Sequence, residues 1–228
     1  MRRKSYIILL LCVMAIVSKA QIVITTPYEF AVGVSGGTTF SSVAFTPRVL
    51  QSMRMGLTMG VTGRMTMGEN VGLQLELNYS QQGWKERYET EDGKPLDQYK
   101  YSRLLNYVQL PFHTRVQFGG EKVKGFVLAG PQIGYMIGES TGENLNGESP
   151  GRQNAQHGLL VQKKFEWGIS GGIGIEIRTG IGYFTLDGRY LYSLGDIYNT
   201  KREDPFSKAS GQTITAKIAF LIPLRHSK

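Results

Sequence analysis

Polar and apolar residues alternate with a period of two through most of the chain, as in β-strands with one polar and one apolar face. The clearest stretch is residues 72–84, where Leu73, Leu75 and Leu77 alternate with Gln74 and other polar residues. The same alternation recurs over residues 53–67, 104–118, 165–178, 184–194 and 213–222. The pattern predicts an all-β protein.

Two less regular segments complete a prediction of about eight strands. Residues 29–37 form a short, glycine-rich segment. Residues 125–138 are apolar on both faces, with Pro131 in the middle. A proline cannot donate a hydrogen bond to a neighbouring strand, so this position predicts a β-bulge.

The predicted connections between strands alternate between long and short. The long ones cover about residues 38–52, 86–100, 139–163 and 196–211, and the short ones cover residues 68–70, 119–122 and 179–180. Tight periplasmic turns and extended outer loops are typical of a transmembrane barrel. The sequence therefore predicts an eight-stranded antiparallel transmembrane β-barrel of OmpA or OmpX size, with both termini in the periplasm.

Aromatic residues cluster near both ends of the predicted strands. Those at the long-loop ends are Tyr79, Trp84, Tyr101, Tyr107, Tyr135, Trp167, Tyr190 and Tyr192, and those at the short-turn ends are Phe118, Phe126, Phe184 and Phe220. Two aromatic belts are expected where a barrel crosses the two headgroup regions of a bilayer. The alternative is a soluble, secreted β-sandwich in which the same rings form cross-strand pairs.

The N-terminus resembles an export signal. Residues 1–20 comprise basic residues at positions 2–4, an apolar stretch over about residues 6–17, and a small-residue cleavage site ending at Ala20. We expect this signal peptide to be removed, and residues 21–228 to form a single outer-membrane β-barrel domain in a Gram-negative bacterium.

The charge of the chain changes once the signal is set aside. The whole chain has 26 Lys and Arg against 18 Asp and Glu, a formal charge of +8; four basic residues lie in residues 1–20, which leaves 22 against 18, or +4. No clustered basic stripe remains, so nucleic acid is not an expected partner. Cys12, the only cysteine, lies within the signal, and we expect no disulfide or lipid attachment in the mature chain.

The order and spacing of several motifs resemble a known family. They are ELNYSQQGW at residues 76–84, YVQLPF at 107–112, GFVLAGPQIGYMIG at 125–138 and AFLIPL at 219–224. Together these resemble the PorT-like outer-membrane β-barrel proteins of Bacteroidetes-type bacteria. The resemblance implies an outer-membrane barrel, and for its founding type an association with type IX protein secretion. It therefore implies a structural or interaction role in the envelope, beside secretion proteins.

The polar face of the predicted strands carries charges of both signs. These residues are Arg54, Arg64, Glu76, His113, Arg115, Glu166, Glu176, Asp187, Arg189 and Lys217. An eight-stranded barrel has an interior just wide enough to be filled by side chains. Charges there require partners, so we predict an ion-pair network that closes the lumen. A small channel or a solute-binding barrel is the alternative.

A lipid-modifying enzyme is a third possibility, because His113 shares the polar face with Ser80, Glu76 and Asp187. Nothing in the sequence sets their relative depth, and a catalytic triad is defined by geometry. We therefore predict a non-enzymatic protein.

No cofactor or metal site is predicted either. The five methionines of residues 53–67 share the apolar face, where lipid contact explains them better than metal ligation. The glycines of residues 168–176 lack the spacing and the following helix of a phosphate-binding loop. The expected partners are outer-membrane lipid and, through the long loops, other envelope or secretion proteins.

Overall fold

The protein is described from a computed structural model, which covers residues 28–89, 92, 94, 96, 99–144, 157, 159–200 and 204–226. The predicted signal peptide, residues 1–20, lies outside these described residues. The strands are β1 (Tyr28–Thr46), β2 (Gln51–Met67), β3 (Val71–Glu86), β4 (Lys100–Gly119), β5 (Val123–Asn144), β6 (Phe165–Thr179), β7 (Gly182–Asp196) and β8 (Lys208–His226). Each strand pairs antiparallel with the next, and β1 pairs with β8, so the sheet closes. The predicted eight-stranded antiparallel barrel is confirmed.

The period-two pattern sets which side chains face out. On β4, Val108, Leu110 and Phe112 are exposed on the outer wall, while Gln109 and His113 are buried in the lumen. A barrel in lipid needs this arrangement, because its outer face contacts hydrocarbon and its backbone bonds are closed between strands. Among the described residues there is no helix long and apolar enough to cross a membrane.

The connections follow the predicted alternation except for the first. The short turns are residues 68–70, 120–122 and 180–181, and the long connections are residues 87–99, 145–164 and 197–207. The predicted long loop over residues 38–52 is wrong, because β1 continues to Thr46 and only residues 47–50 separate it from β2. Val43 and Phe45 keep the inward alternation of β1 going. We call the end with the long connections the extracellular end.

The aromatic belts are correct only in part. Tyr135, Trp167, Tyr190, Phe118 and Phe184 are exposed on the outer wall, as predicted. The prediction is wrong for four aromatic residues that are buried inside the barrel, namely Trp84, Tyr101, Tyr107 and Phe126. Their positions have the same parity as the lumen-facing polar residues of their strands, and this parity decides their direction.

The predicted bulge at Pro131 is also wrong. Pro131 lies opposite Ile169 in an uninterrupted β5–β6 register, and it faces outward. The β4–β5 register instead shifts between Asn106 and Tyr107, which lie opposite Gly138 and Met136. The extra residue is therefore Ile137, near the extracellular end.

Candidate functional site

The periplasmic half of the lumen is centred on Glu176 of β6. Its carboxylate pairs with Arg64 of β2, with Arg115 of β4 at 2.7 Å and with Arg178 of its own strand at 2.9 Å. Glu29 of β1 lies 3.8 Å from Arg64 and 3.9 Å from Arg178. One fully buried carboxylate thus holds together cations from three strands.

A second centre forms around Glu76 of β3. Its two carboxylate oxygens accept hydrogen bonds from Lys217 of β8 at 2.6 Å and Arg189 of β7 at 2.9 Å. Arg189 also pairs with Asp187, and Lys217 donates to Asn78 at 2.9 Å. This second centre ties β3 to β7 and β8 across the lumen.

Gln74 joins the two centres. It donates to Glu76 at 2.5 Å and accepts from Arg115 at 3.4 Å. We call the connected charged residues the ion-pair network; it comprises Glu29, Arg64, Glu76, Arg115, Glu176, Arg178, Asp187, Arg189 and Lys217. These partners satisfy charges that would be costly to leave unpaired in a narrow interior.

Seven of the ten charged residues singled out in the sequence belong to this network, and three do not. Glu166 accepts hydrogen bonds from Gln109 at 2.9 Å and Ser193 at 3.0 Å. Arg54 lies in the β2 segment where the register with β3 shifts, and no ion pair to it is formed within the described residues. His113 is the third.

Two network members are not among those ten residues. Glu29 lies in the short, glycine-rich segment whose alternation is not regular enough to assign a face. Arg178 shares the polar face with Glu176, so alternation predicts its direction but not its place in the network. Both help to form the floor of the network near the periplasm.

His113 does not contact Ser80, its candidate catalytic partner, but pairs with another serine. Its Nε2 lies 2.6 Å from the Ser170 Oγ, and both residues are buried. Ser170 and Ser80 line a small cavity of about 30 Å³. Such a space does not admit a lipid substrate. In the described part of the chain, no group of acidic, histidine or cysteine side chains is arranged to bind a metal.

The extracellular end of the lumen is filled differently. Its inward positions, joined by residues of the loops, form a cluster that we call the apolar cap, which comprises Val43, Phe45, Val49, Trp84, Tyr88, Tyr101, Leu105, Tyr107, Met136, Val161, Ile197, Tyr198, Phe206 and Ala209. Trp84 packs edge-on against Phe45 with ring centroids 5.3 Å apart. Beneath this cap, the Arg115 guanidinium lies 3.5 Å from the ring centre of the inward-facing Phe126.

The Glu86 carboxylate anchors the connection between β5 and β6 to the cap. The Glu86 carboxylate accepts hydrogen bonds from Trp84 at 3.2 Å and Tyr88 at 3.0 Å, and it lies 2.8 Å from His157. The His157 ring stacks on Tyr101 at a centroid distance of 3.9 Å. Burial and the adjacent Glu86 raise the pKa of Tyr88, so its hydroxyl remains a donor to that carboxylate.

The periplasmic end of the barrel remains open as a shallow cleft. Its volume is about 510 Å³, and Glu29 and Arg178 of the network lie in its lining. Glu69 and Lys124 lie at its rim, where the Lys124 Nζ donates to the Glu69 carbonyl at 3.1 Å. The two ends of the barrel thus differ: one is capped and the other is accessible.

A comparison with protein-family models identifies the class of this barrel. The model described as outer membrane protein beta-barrel domain matches residues 19–199, which is most of the chain. The chain belongs to this family. As a member, it is an outer-membrane protein, and the outer wall described above is its lipid-facing surface.

Solved structures similar to this outer-membrane barrel include OprG of Pseudomonas aeruginosa, with 11% identity, a TM-score of 0.45 and coverage of 88% of this chain and 96% of that chain. Ail of Yersinia pestis has 14% identity, a TM-score of 0.41 and coverage of 85% and 99%. Outer Membrane Protein W of E. coli has 12% identity, a TM-score of 0.33 and coverage of 83% and 96%. No match was found among curated proteins.

Proposed function

We propose that this protein is a closed, non-conducting barrel with a structural or interaction role in the outer membrane. The observation that carries the proposal is that the lumen is filled at two heights, by the ion-pair network and by the apolar cap. An ion that crossed the barrel would have to pass both.

The network is the stronger obstacle to a permeating ion. Glu76 and Glu176 are each held by at least two cations from other strands, and their side chains are fully buried. Leaving one partner of such a buried pair uncompensated destabilises a protein by about 3–5 kcal/mol, so these side chains are held firmly in place. The cavity beside this region has a volume of only about 30 Å³. Small thermal displacements of these side chains are therefore insufficient to form a continuous water path.

Planar-bilayer recording tests the closed lumen. Refolded protein, with insertion verified by a heat-modifiable gel shift, is expected to give no steady single-channel currents. Liposomes that contain the protein are expected not to swell in small sugars. Large, steady currents or rapid swelling would overturn the proposal and favour a channel or solute-binding barrel, for which the open periplasmic cleft of about 510 Å³ would be the entrance.

The resemblance to PorT-like barrels supports a specific form of this role, beside a protein-secretion machine. The surfaces open to such partners are the extracellular connections and the rim of the periplasmic cleft, which includes Glu69, Glu121 and Lys124. Mild detergent extraction followed by affinity purification is expected to recover secretion proteins with the barrel. Recovery of the barrel alone, from cells that express the secretion machine, would contradict this form of the role.

A further inference from the structure

The lipid-facing wall contains a groove near the extracellular ends of β6 and β7. Its volume is about 500 Å³, and it is open to the outside of the barrel. It is lined by Lys163, Lys164, Phe165, Trp167, Leu194 and Asp196, together with Gly195. The groove is separate from the lumen and from the periplasmic cleft.

The groove arises where two neighbouring strands separate. The β6–β7 pairing ends at Gly168 and Ser193, although β6 begins at Phe165 and β7 continues to Asp196. Above this gap, the Lys163 backbone N–H donates to the Ile197 carbonyl at 3.1 Å and closes the groove. The gap is thus bounded above and below by backbone hydrogen bonds.

The glycine of the lining, Gly195, lies close to an indole ring. A Cβ added at Gly195 would lie 3.2 Å from the Trp167 ring. The absence of a side chain lets this indole lie close against the β7 backbone while its other side remains exposed.

The groove has an apolar part and a cationic part. Phe165, Trp167 and Leu194 are exposed on the outer wall, whereas Lys163 and Lys164 are exposed directly above them. Neither lysine forms an ion pair within the described residues. The acidic residue of the lining has another partner, because the Asp196 Oδ1 accepts a hydrogen bond from the Ala209 N–H at 2.7 Å.

A third lysine lies at the same height. The Ile197 N–H donates to the Ala209 carbonyl at 2.9 Å, so Lys163, Ile197 and Ala209 form one row across the wall. Lys208 is the residue before Ala209 in the sequence. Its Nζ donates to the Tyr192 hydroxyl at 3.1 Å on the outer face. Two strand spacings, roughly 10 Å, separate the backbones of Lys163 and Ala209.

We propose that this groove binds the phosphate headgroup of an outer-leaflet lipid. Lys163 and Lys164 hold the phosphate, and the acyl chain lies along Trp167 and Leu194. The placement fits an amphipathic ligand, because cations lie above an aromatic residue at the level where a bilayer changes from hydrocarbon to headgroup. The inference rests on the outer-membrane location and the groove, and it is independent of the closed lumen.

Tryptophan fluorescence provides a local test. The chain has two tryptophans; Trp84 is fully buried in the cap, while Trp167 lies in the groove. Diphosphorylated lipid A, titrated into the refolded barrel in zwitterionic micelles, is expected to give a saturable change in Trp167 emission. The double variant Lys163→Gln, Lys164→Gln is expected to bind about 30-fold more weakly, the combined effect of two lysines at an anionic surface.

The matched control removes two other exposed lysines of the extracellular end, Lys85 and Lys100, as Lys85→Gln, Lys100→Gln. It is expected to bind like wild type, and equal weakening in both double variants would overturn a local site. The charge-conserving variant Lys163→Arg, Lys164→Arg is expected to retain binding. Dephosphorylated lipid A that binds as tightly as lipid A, or inorganic phosphate that gives the same saturable change, would overturn the assignment to a lipid phosphate.

Discussion

The ion-pair network and the apolar cap occupy the same lumen and are built from inward positions of the same strands, yet their chemistry is opposite. On β3, the inward residues change from Glu76 and Ser80 to Trp84, while the outward residues change from Leu77 to Lys85. Within the membrane the wall contacts lipid, so apolar residues face out and polar residues face in. Beyond the membrane the wall contacts water, and the usual burial of apolar residues returns.

The change from apolar to polar inward residues, where the barrel passes from water into lipid, occurs within single strands. On β4, the inward positions change from Tyr101 and Leu105 to Gln109 and His113 without any break in the strand. The barrel thus continues beyond the bilayer as a short water-soluble segment with its own core. The two regions are expected to respond differently to substitution, because one is held by charge pairing and the other by packing.

The largest expected effect comes from Glu176→Gln in the network. The substitution removes the charge that compensates Arg64 and Arg115, which remain buried. We expect the free energy of unfolding to fall by about 3–5 kcal/mol. Urea unfolding in detergent micelles, followed by tryptophan emission, measures this change.

Glu121→Gln is the matched control, because this glutamate is exposed in a periplasmic turn. It is expected to change the free energy of unfolding by less than about 0.5 kcal/mol. A Glu176→Gln protein as stable as this control would show that the network contributes no pairing energy, and the contrast with the cap would be lost.

In the cap, Leu105→Ala tests packing without charge. Leu105 is almost fully buried between strands, and removing its side chain leaves a cavity that costs about 2–4 kcal/mol. Leu160→Ala is the control, because this leucine is exposed in the connection between β5 and β6. It is expected to lower the free energy of unfolding by well under about 1 kcal/mol. Similar losses from the two variants, measured by the same urea unfolding, would mean that the cap is not a packed core.

The sequence was sufficient for the barrel because period-two alternation and connection lengths both follow from the bilayer. Predictions from the sequence are wrong at the extracellular end, where the strands leave the bilayer. Residue type predicts a lipid-facing belt position for Trp84, Tyr101 and Tyr107, whereas their parity with Gln82 and Gln109 directs them inward. The short β1–β2 connection was missed for the same reason, because Val43 and Phe45 continue the strand with cap chemistry instead of lipid-facing chemistry.

Within the network, alternation predicted which residues face the lumen but not which ones meet. Pairing between distant strands, such as Glu76 with Lys217, depends on strand tilt and register, which one sequence does not specify. The partner of His113 was unpredictable in the same way: Ser170 is separated from it by 57 positions along the chain.

A smaller effect is expected where the connection between β5 and β6 meets the cap. His157→Ala removes the contact with Glu86 and the stacking on Tyr101. The lost contacts are worth about 1 kcal/mol, so the free energy of unfolding in urea is expected to fall by about that amount. Arg48→Ala, at an exposed position of the β1–β2 connection, serves as the control and is expected to change this free energy by less than about 0.5 kcal/mol. Equal stability of wild type and His157→Ala would show that His157 does not anchor the connection.

The smallest effect is expected from Arg87→Ala, which breaks an ion pair in the extracellular connection. Arg87 and Glu89 lie 3.3 Å apart, but both are substantially exposed. Water and salt screen such a pair, so the free energy of unfolding is expected to change by less than about 0.5 kcal/mol. At about 1 M salt, where the screening length is roughly 3 Å, any remaining difference from wild type is expected to vanish. A loss as large as that of Glu176→Gln would mean that burial does not account for the strength of the network's ion pairs.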